Sequence, residues 1–143
     1  MEKCLIMKNT SIVVPICNEE DVLNELILRI NKTMNNHLGN DWELLLIDDN
    51  SSDNSYNIMK ENSEKNNKIR VFHHPKNKGQ TGCFKTGFSN ANGRITITMD
   101  GDLQLFPEDL PLFIDKIEQG YDVINGIREH RQHSFTLRFA SRI

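Results

Sequence analysis

Cysteine is scarce in this chain. The three present, Cys4, Cys17 and Cys83, are widely spaced and odd in number, which fits neither a disulfide framework nor a zinc site and suits a reducing compartment. Long hydrophobic runs are missing too. No apolar stretch approaches the ~20 residues that span a bilayer, and the opening residues do not resemble a secretory signal. Positive charge is not in excess: the net charge of −3 argues against general nucleic-acid binding. What remains is an ordinary soluble composition, 37% hydrophobic and 26% charged over 143 residues. That length supports one sizeable core and not two, so a single domain over residues 1–143 is expected.

The most informative segment is Ile95-Thr96-Ile97-Thr98-Met99-Asp100-Gly101-Asp102-Leu103-Gln104. It reads as a β-branched strand ending in two carboxylates one residue apart. Residues two apart in an extended chain point to the same side, so Asp100 and Asp102 can offer oxygens to one point. Two anions held together are unfavourable unless a cation lies between them. Oxygen ligands suit a hard divalent ion, which also accepts phosphate oxygens. The segment therefore predicts a metal-bound diphosphate site. An acidic Asp-Gly turn after a strand is the plainer alternative.

Strand and helix signals alternate along the chain. Residues 11–15 predict a buried strand. Asn18 can cap a helix whose first turn holds Glu19, Glu20 and Asp21, where the dipole favours anions. Val22, Leu23, Leu26, Ile27, Ile30, Met34 and Leu38 recur at helical spacing, and Gly39 ends that helix. A second strand over 43–47 runs into Asp48-Asp49-Asn50-Ser51-Ser52-Asp53, and a polar helix follows to about residue 66. A short strand over 69–72 precedes Asn77-Lys78-Gly79, which opens a helix that Gly93 closes. Pro107 begins another helix, with Leu110, Phe113, Ile114 and Ile117 on its apolar face, ended by Gly120. A last strand covers 121–124. This order predicts an α/β fold with a mostly parallel sheet covered by helices on both faces.

Ligands in such sheets bind beyond the carboxyl ends of the strands. Here those ends carry Pro15-Ile16-Cys17-Asn18-Glu19, Ile47-Asp48-Asp49, Asp100-Gly101-Asp102-Leu103-Gln104 and Gly126-Ile127-Arg128. Polar loops are expected at any rim. Carboxylates and an arginine at four separate strand ends are harder to dismiss.

In this order, with Val13-Val14-Pro15, Asn18-Glu19-Glu20, Asn50-Ser51-Ser52-Asp53, Gly87, Ala91, Gly93 and Pro107, the chain resembles the family 2 glycosyltransferases. The resemblance covers about residues 10 to 130, and is strongest to the dolichyl- or polyprenyl-phosphate sugar synthases. It implies a GT-A, Rossmann-like nucleotide-sugar domain. It also implies an inverting, metal-dependent transfer of a sugar from a UDP- or GDP-sugar to a polyprenyl or dolichyl phosphate. By the same resemblance Pro15, Cys17, Glu19, Ile47 and Asp49 line the nucleobase and ribose pocket. Asp100, Asp102 and Gln104 hold magnesium or manganese, and Gly101 allows close backbone approach to the nucleotide. Arg128 meets donor or lipid phosphate, and Asp102 and Arg128 are the expected catalytic residues. Two other readings stay open: a non-catalytic nucleotide-sugar-binding fragment, and a transferase acting on a saccharide hydroxyl.

Two positions depart from the pattern: Cys17 stands where an aromatic is common, and Gly101 where alanine is common. Family members also run longer, so a chain truncated at its carboxyl end is expected. From Arg128 onward the charge is +3, leaving −6 for the remainder. The four arginines there are interleaved with Phe135, Leu137, Phe139 and Ile143. This segment reads either as a solvated terminal helix or as a surface that meets anionic lipid, with the protein in the cytoplasm or on the cytoplasmic face of a membrane. His73 and His74 read as a loop pair, His130 and His133 as solvent-exposed, and Cys83 as core packing. A response-regulator receiver would need an acceptor Asp after the third strand, where Phe72-His73-His74 stands. A dehalogenase-like phosphatase would carry Asp-x-Asp after its first strand.

Overall fold

The computed structural model describes residues 8–127 and 136–140. Strands β1 (Lys8–Ile16), β2 (Trp42–Asp48), β3 (Ile69–His73) and β4 (Gly93–Thr98) form one parallel sheet in the order β3-β2-β1-β4. Helices α1 (Glu20–Leu38), α2 (Ser55–Lys65) and α3 (Gly79–Asn90) make the crossovers. Helix α4 (Leu110–Glu118) follows a single 3-10 turn, Pro107–Asp109.

The inner strands are buried on both faces, and every residue of β2 is buried. Alternation splits their side chains between two layers. Ile12, Val14, Ile16, Leu44 and Leu46 face a layer built from Leu23, Leu26, Ile27, Ile30 and Met34 of α1, Met59 of α2, and Leu110 and Ile114 of α4. Val13, Leu45 and Ile47 face Cys83 of α3 on the opposite side. Each fully buried aliphatic side chain stabilises the fold by about 1.5–3 kcal/mol relative to exposure. Helix α3 lies very close to the sheet: a Cβ on Gly87 would come within 2.2 Å of Val13 Cγ1.

Strand order positions the site. The chain steps outward from β1 to β2 to β3, then returns to place β4 on the other side of β1. Such a reversal opens a crevice at the carboxyl ends of the two strands that flank it, here β1 and β4.

Three expectations need correction. The helix expected to run to Gly93 ends at Asn90, and Gly93 is the first residue of β4. The last strand starts two residues late and leaves the main sheet: β5 (Val123–Ile127) pairs antiparallel with β6 (Thr136–Ala140). A terminal helix is therefore wrong for Thr136–Ala140, whose Thr, Leu and Phe content supports a strand when another strand lies beside it. Residues 128–135, with Arg128, His130 and His133, lie outside the described residues. A groove of about 610 Å³ separates the outer edge of β4 from β5, lined on one side by Arg94 to Asp100 and on the other by Asp122 to Gly126.

Candidate active site

The loops after β1 and β2 are built as one unit. Asn18 Oδ1 accepts from the backbone N–H of Ser52 at 2.7 Å and of Asp53 at 3.3 Å. In return Asp53 Oδ2 accepts from Glu20 N at 3.1 Å, and Ser55 Oγ accepts from Glu19 N at 2.9 Å. The N-terminal amides of α1, unsatisfied within the helix itself, are thus capped from across the rim. Asn18, expected to cap α1 with its own side chain, instead holds the neighbouring loop. Asn18, Asn50 and Leu103 are the non-glycine residues with positive φ among those described, at 57°, 63° and 58°. All three follow the carboxyl ends of β1, β2 or β4, so backbone strain collects at this rim.

Four residues at the ends of β2 and β3 pair across the strands. Asp48 and His73 are partners in the parallel register, and His73 Nδ1 lies 2.7 Å from Asp48 Oδ2. One residue on, His74 Nδ1 lies 2.8 Å from Asp49 Oδ1, and His74 Nε2 lies 2.8 Å from Thr86 Oγ1 of α3. Asp49 also accepts from the backbone N–H of Lys78 at Oδ1 and of Gly79 at Oδ2, both at 2.8 Å. Burial alone would raise the Asp49 carboxyl, but the bonds from His74, Lys78 and Gly79 outweigh it and hold it below the usual range. Asp48 and Asp49 are both buried. Of the histidine doublet read as a loop pair, His73 is the exposed last residue of β3, and His74 follows it in the loop, 3% exposed.

These segments surround a cleft of about 330 Å³, within the range of small-molecule sites, roughly 300–1,000 Å³. Pro15, Cys17 and Glu19 enter from β1, Asp49 from β2, and Asp100, Gly101 and Asp102 from β4. Asn77, Gln80 and Cys83 close the α3 side. Gln80 Nε2 donates to Asp100 Oδ1 at 3.0 Å. Asp102 Oδ1 accepts from the backbone N–H of Gln104 at 3.0 Å, which closes a tight turn. Gly101 is buried against β1, where a Cβ would lie 2.6 Å from Ile16 Cδ1 and 2.9 Å from Pro15 O. Its missing side chain lets the acidic loop sit down on the end of β1. Glu19 is raised by burial first, and then by Asp102 and Asp53. The Cys17 thiol is raised by burial, then by Asp49 and Asp48.

Seven of the residues expected at the nucleotide line this cleft: Pro15, Cys17, Glu19, Asp49, Asp100, Gly101 and Asp102. Ile47 does not, being fully buried behind it with Val13, Leu45 and Cys83. Strand alternation explains the miss, since Ile47 points into the α3 layer. Gln104 is exposed, and its side chain is not among those lining the cleft. The sequence reading gave no role to His74 or Gln80. Doublets of acid and histidine closing two consecutive strands were the available signal for His74.

Asp100, Asp102 and Glu19 place three carboxylates around one cleft, and the upward push on Glu19 from Asp102 is the repulsion that a bound cation relieves. This donor set fits a hard divalent ion. Asp49, His74 and Cys83 also bring ligand-type atoms within 4.8 Å of one another. Hydrogen bonds to one another, to Thr86 and to α3 already use those atoms. Burial and then Asp49 push the Cys83 thiol up to about 12. Asp49 and His74 of this group tie the ends of β2 and β3 to α3.

Residues 11–142 match the family described as glycosyl transferase family 2. The chain belongs to this family. Solved structures of the same GT-A fold include residues 1–349 of S. aureus TarS in complex with UDP, at 24% identity and a TM-score of 0.63 over 76% of this chain and 32% of that one. The same TarS fragment in complex with UDP-GlcNAc is likewise 24% identical, with a TM-score of 0.60 over 76% of this chain and 31% of that one. The mannosyltransferase PcManGT from Pyrobaculum calidifontis, in complex with GDP-Man and Mn2+, is 18% identical with a TM-score of 0.60, over 68% and 29% of the two chains. The present chain thus spans about a third or less of the length of these proteins. Within the family 2 fold, the β1–β4 crevice is where its strand order opens the sheet.

Proposed function

We propose that this chain is the donor-binding part of an inverting glycosyltransferase that moves a sugar from a UDP- or GDP-sugar to a polyprenyl or dolichyl phosphate. The observation that carries the reading is the meeting of Glu19, Asp100 and Asp102 around one cleft at the sheet's switch point. Asp100 and Asp102 would hold magnesium or manganese against the diphosphate, with Gln104 an added ligand if its side chain turns inward. A divalent cation supplies neutralisation of the charge that grows on the departing diphosphate. Pro15, Cys17 and Asp49 border the part of the cleft assigned to the nucleoside.

An ionised lipid phosphate needs no strong general base, unlike a hydroxyl acceptor. The groove beside β4 opens onto Gln80 and Asp100, which also line the cleft, and so offers an acceptor a route to the metal end. Arg128 would meet phosphate there through its planar fork. Solved relatives of the fold in complex with UDP, UDP-GlcNAc and GDP-Man with Mn2+ support the donor class.

Calorimetric titration of the chain with UDP and GDP, in manganese and in chelator, tests the donor reading. Binding that strengthens with manganese is expected. Equal affinity in chelator would remove the metal. Incubation of the matching nucleotide sugar with dolichyl phosphate or with a free saccharide then separates the two acceptor classes, and no transfer to either leaves a binding module.

A further inference from the structure

We propose that His74 is a positioning residue for nucleotide binding: it sets the Asp49 carboxylate and, through it, the first turn of α3 against the cleft. This rests on the reading of Asp49 as a nucleoside contact. His74 follows directly after β3 and is 3% exposed. An ionised carboxylate only accepts hydrogen bonds, so the proton between His74 Nδ1 and Asp49 Oδ1 belongs to the ring. In the neutral ring Nε2 is then an acceptor, and the Thr86 hydroxyl donates to it at 2.8 Å. The ring is held at both ends, a rigid strut between the end of β2 and the middle of α3.

Asp49 carries the effect onward. Its two oxygens take the backbone N–H groups of Lys78 and Gly79, the orphan donors at the start of α3. Gly79 and Gln80 both line the cleft, and Gln80 holds Asp100. A rotation of Asp49 would release that turn, and with it the wall that joins the nucleoside end to the acidic end. His74 does not itself line the cleft but bonds Asp49, which does, so its contribution is orientation.

Two substitutions separate its two bonds. In His74→Asn the amide nitrogen stands near the Nδ1 position and still donates to Asp49, while the Thr86 contact is lost. In His74→Gln the amide reaches the Nε2 position, keeping Thr86 and losing Asp49. Titration of each variant with UDP and with GDP, in manganese and in chelator, is paired with thermal unfolding. His74→Asn is expected to stay within about threefold of the parent, and His74→Gln to lose roughly tenfold or more in both conditions, at similar melting temperatures. Affinity losses that merely follow the melting temperature, or none in either variant, overturn the proposal. Asp49→Asn is the control. If it binds like the parent, the nucleoside role of Asp49 fails and His74 with it; if it weakens binding while His74→Gln does not, His74 alone fails. Should His74→Gln not fold, His74→Leu replaces it, removing both bonds at similar volume; a roughly tenfold loss at unchanged melting temperature is expected, and parental affinity counts against the proposal.

Discussion

The side chains of Gln80 and Asp100 join α3 to the loop after β4 through one hydrogen bond of 3.0 Å. A partner of this kind fixes the direction of a carboxylate that is to meet a cation. Gln80→Leu removes the donor at similar volume. Manganese-dependent UDP or GDP affinity is expected to fall roughly tenfold, in line with other outer partners of metal ligands, while affinity in chelator stays constant. A loss of the same size in chelator would place Gln80 on the nucleotide instead.

Asp102→Asn removes one anion from the acidic end and leaves the volume unchanged. The loss in manganese-dependent binding is expected to exceed that of an outer partner, at least ~10-fold, with far-ultraviolet dichroism unaltered. Parental affinity in manganese would take Asp102 out of the metal set. Glu19 supplies a second readout. Its carboxyl is raised by burial, then by Asp102 and Asp53, so neutralising Asp102 should lower it, measurable by following the Glu19 side-chain resonance against pH.

The close approach of α3 to the sheet makes Gly87 sensitive. In Gly87→Ala the new methyl meets the branched, fully buried Val13 side chain at 2.2 Å, so the helix or the strand must shift. Overpacking of this kind costs about 1–3 kcal/mol, and each kcal/mol shifts the melting temperature of a domain near this size by ~2–4 °C. A melting temperature equal to the parent's would show that α3 shifts outward at no cost.

Acid stability should depend on Glu43, at the opposite end of β2 from the cleft. It is buried and accepts from Ser11 Oγ at 2.6 Å, Asn92 N at 2.6 Å and Arg70 Nη1 at 2.9 Å. Burial raises its carboxyl, but these bonds outweigh it and hold it below the ordinary 4.5. A depressed folded value gives stability that is present above the unfolded value and fades as pH falls through the folded one. Glu43→Gln is expected to flatten the acid limb of a stability-against-pH curve measured by urea unfolding. An unchanged acid limb would assign that slope to Asp49, also lowered.

The basic segment over residues 128–143 is expected to bind anionic vesicles weakly at low salt. Each basic residue near such a surface contributes roughly 1 kcal/mol, and salt screens the attraction. Co-sedimentation of the chain with and without that segment checks this. Equal binding of the two forms would make the segment a solvated end.

Much of the fold was legible because period and position agree. Helix α1 carries its buried residues Leu23, Leu26, Ile27, Ile30 and Met34 where helical spacing put them, and β2 is buried throughout, as an apolar inner strand must be. Asp100 and Asp102 reach one cleft, but not by strand alternation: β4 ends at Thr98, and both sit in the turn that follows it. Ile47 and His74 escaped for a shared reason: each is placed by what packs across the sheet. Ile47 turns toward α3. His74 looked like a loop residue until the β2–β3 register set it one step beyond the Asp48–His73 pair. The departure of β5 from the main sheet likewise depends on β6, a partner that local pattern does not announce.

The outer side of β4 has no strand beside it among the described residues. A bare row of backbone donors and acceptors is a template on which any extended chain can crystallise into a longer sheet. Arg94 of β4 is exposed and pairs with Glu118 of α4. Further copies of an extended chain would add to the sheet along this border, independently of whether the cleft is filled.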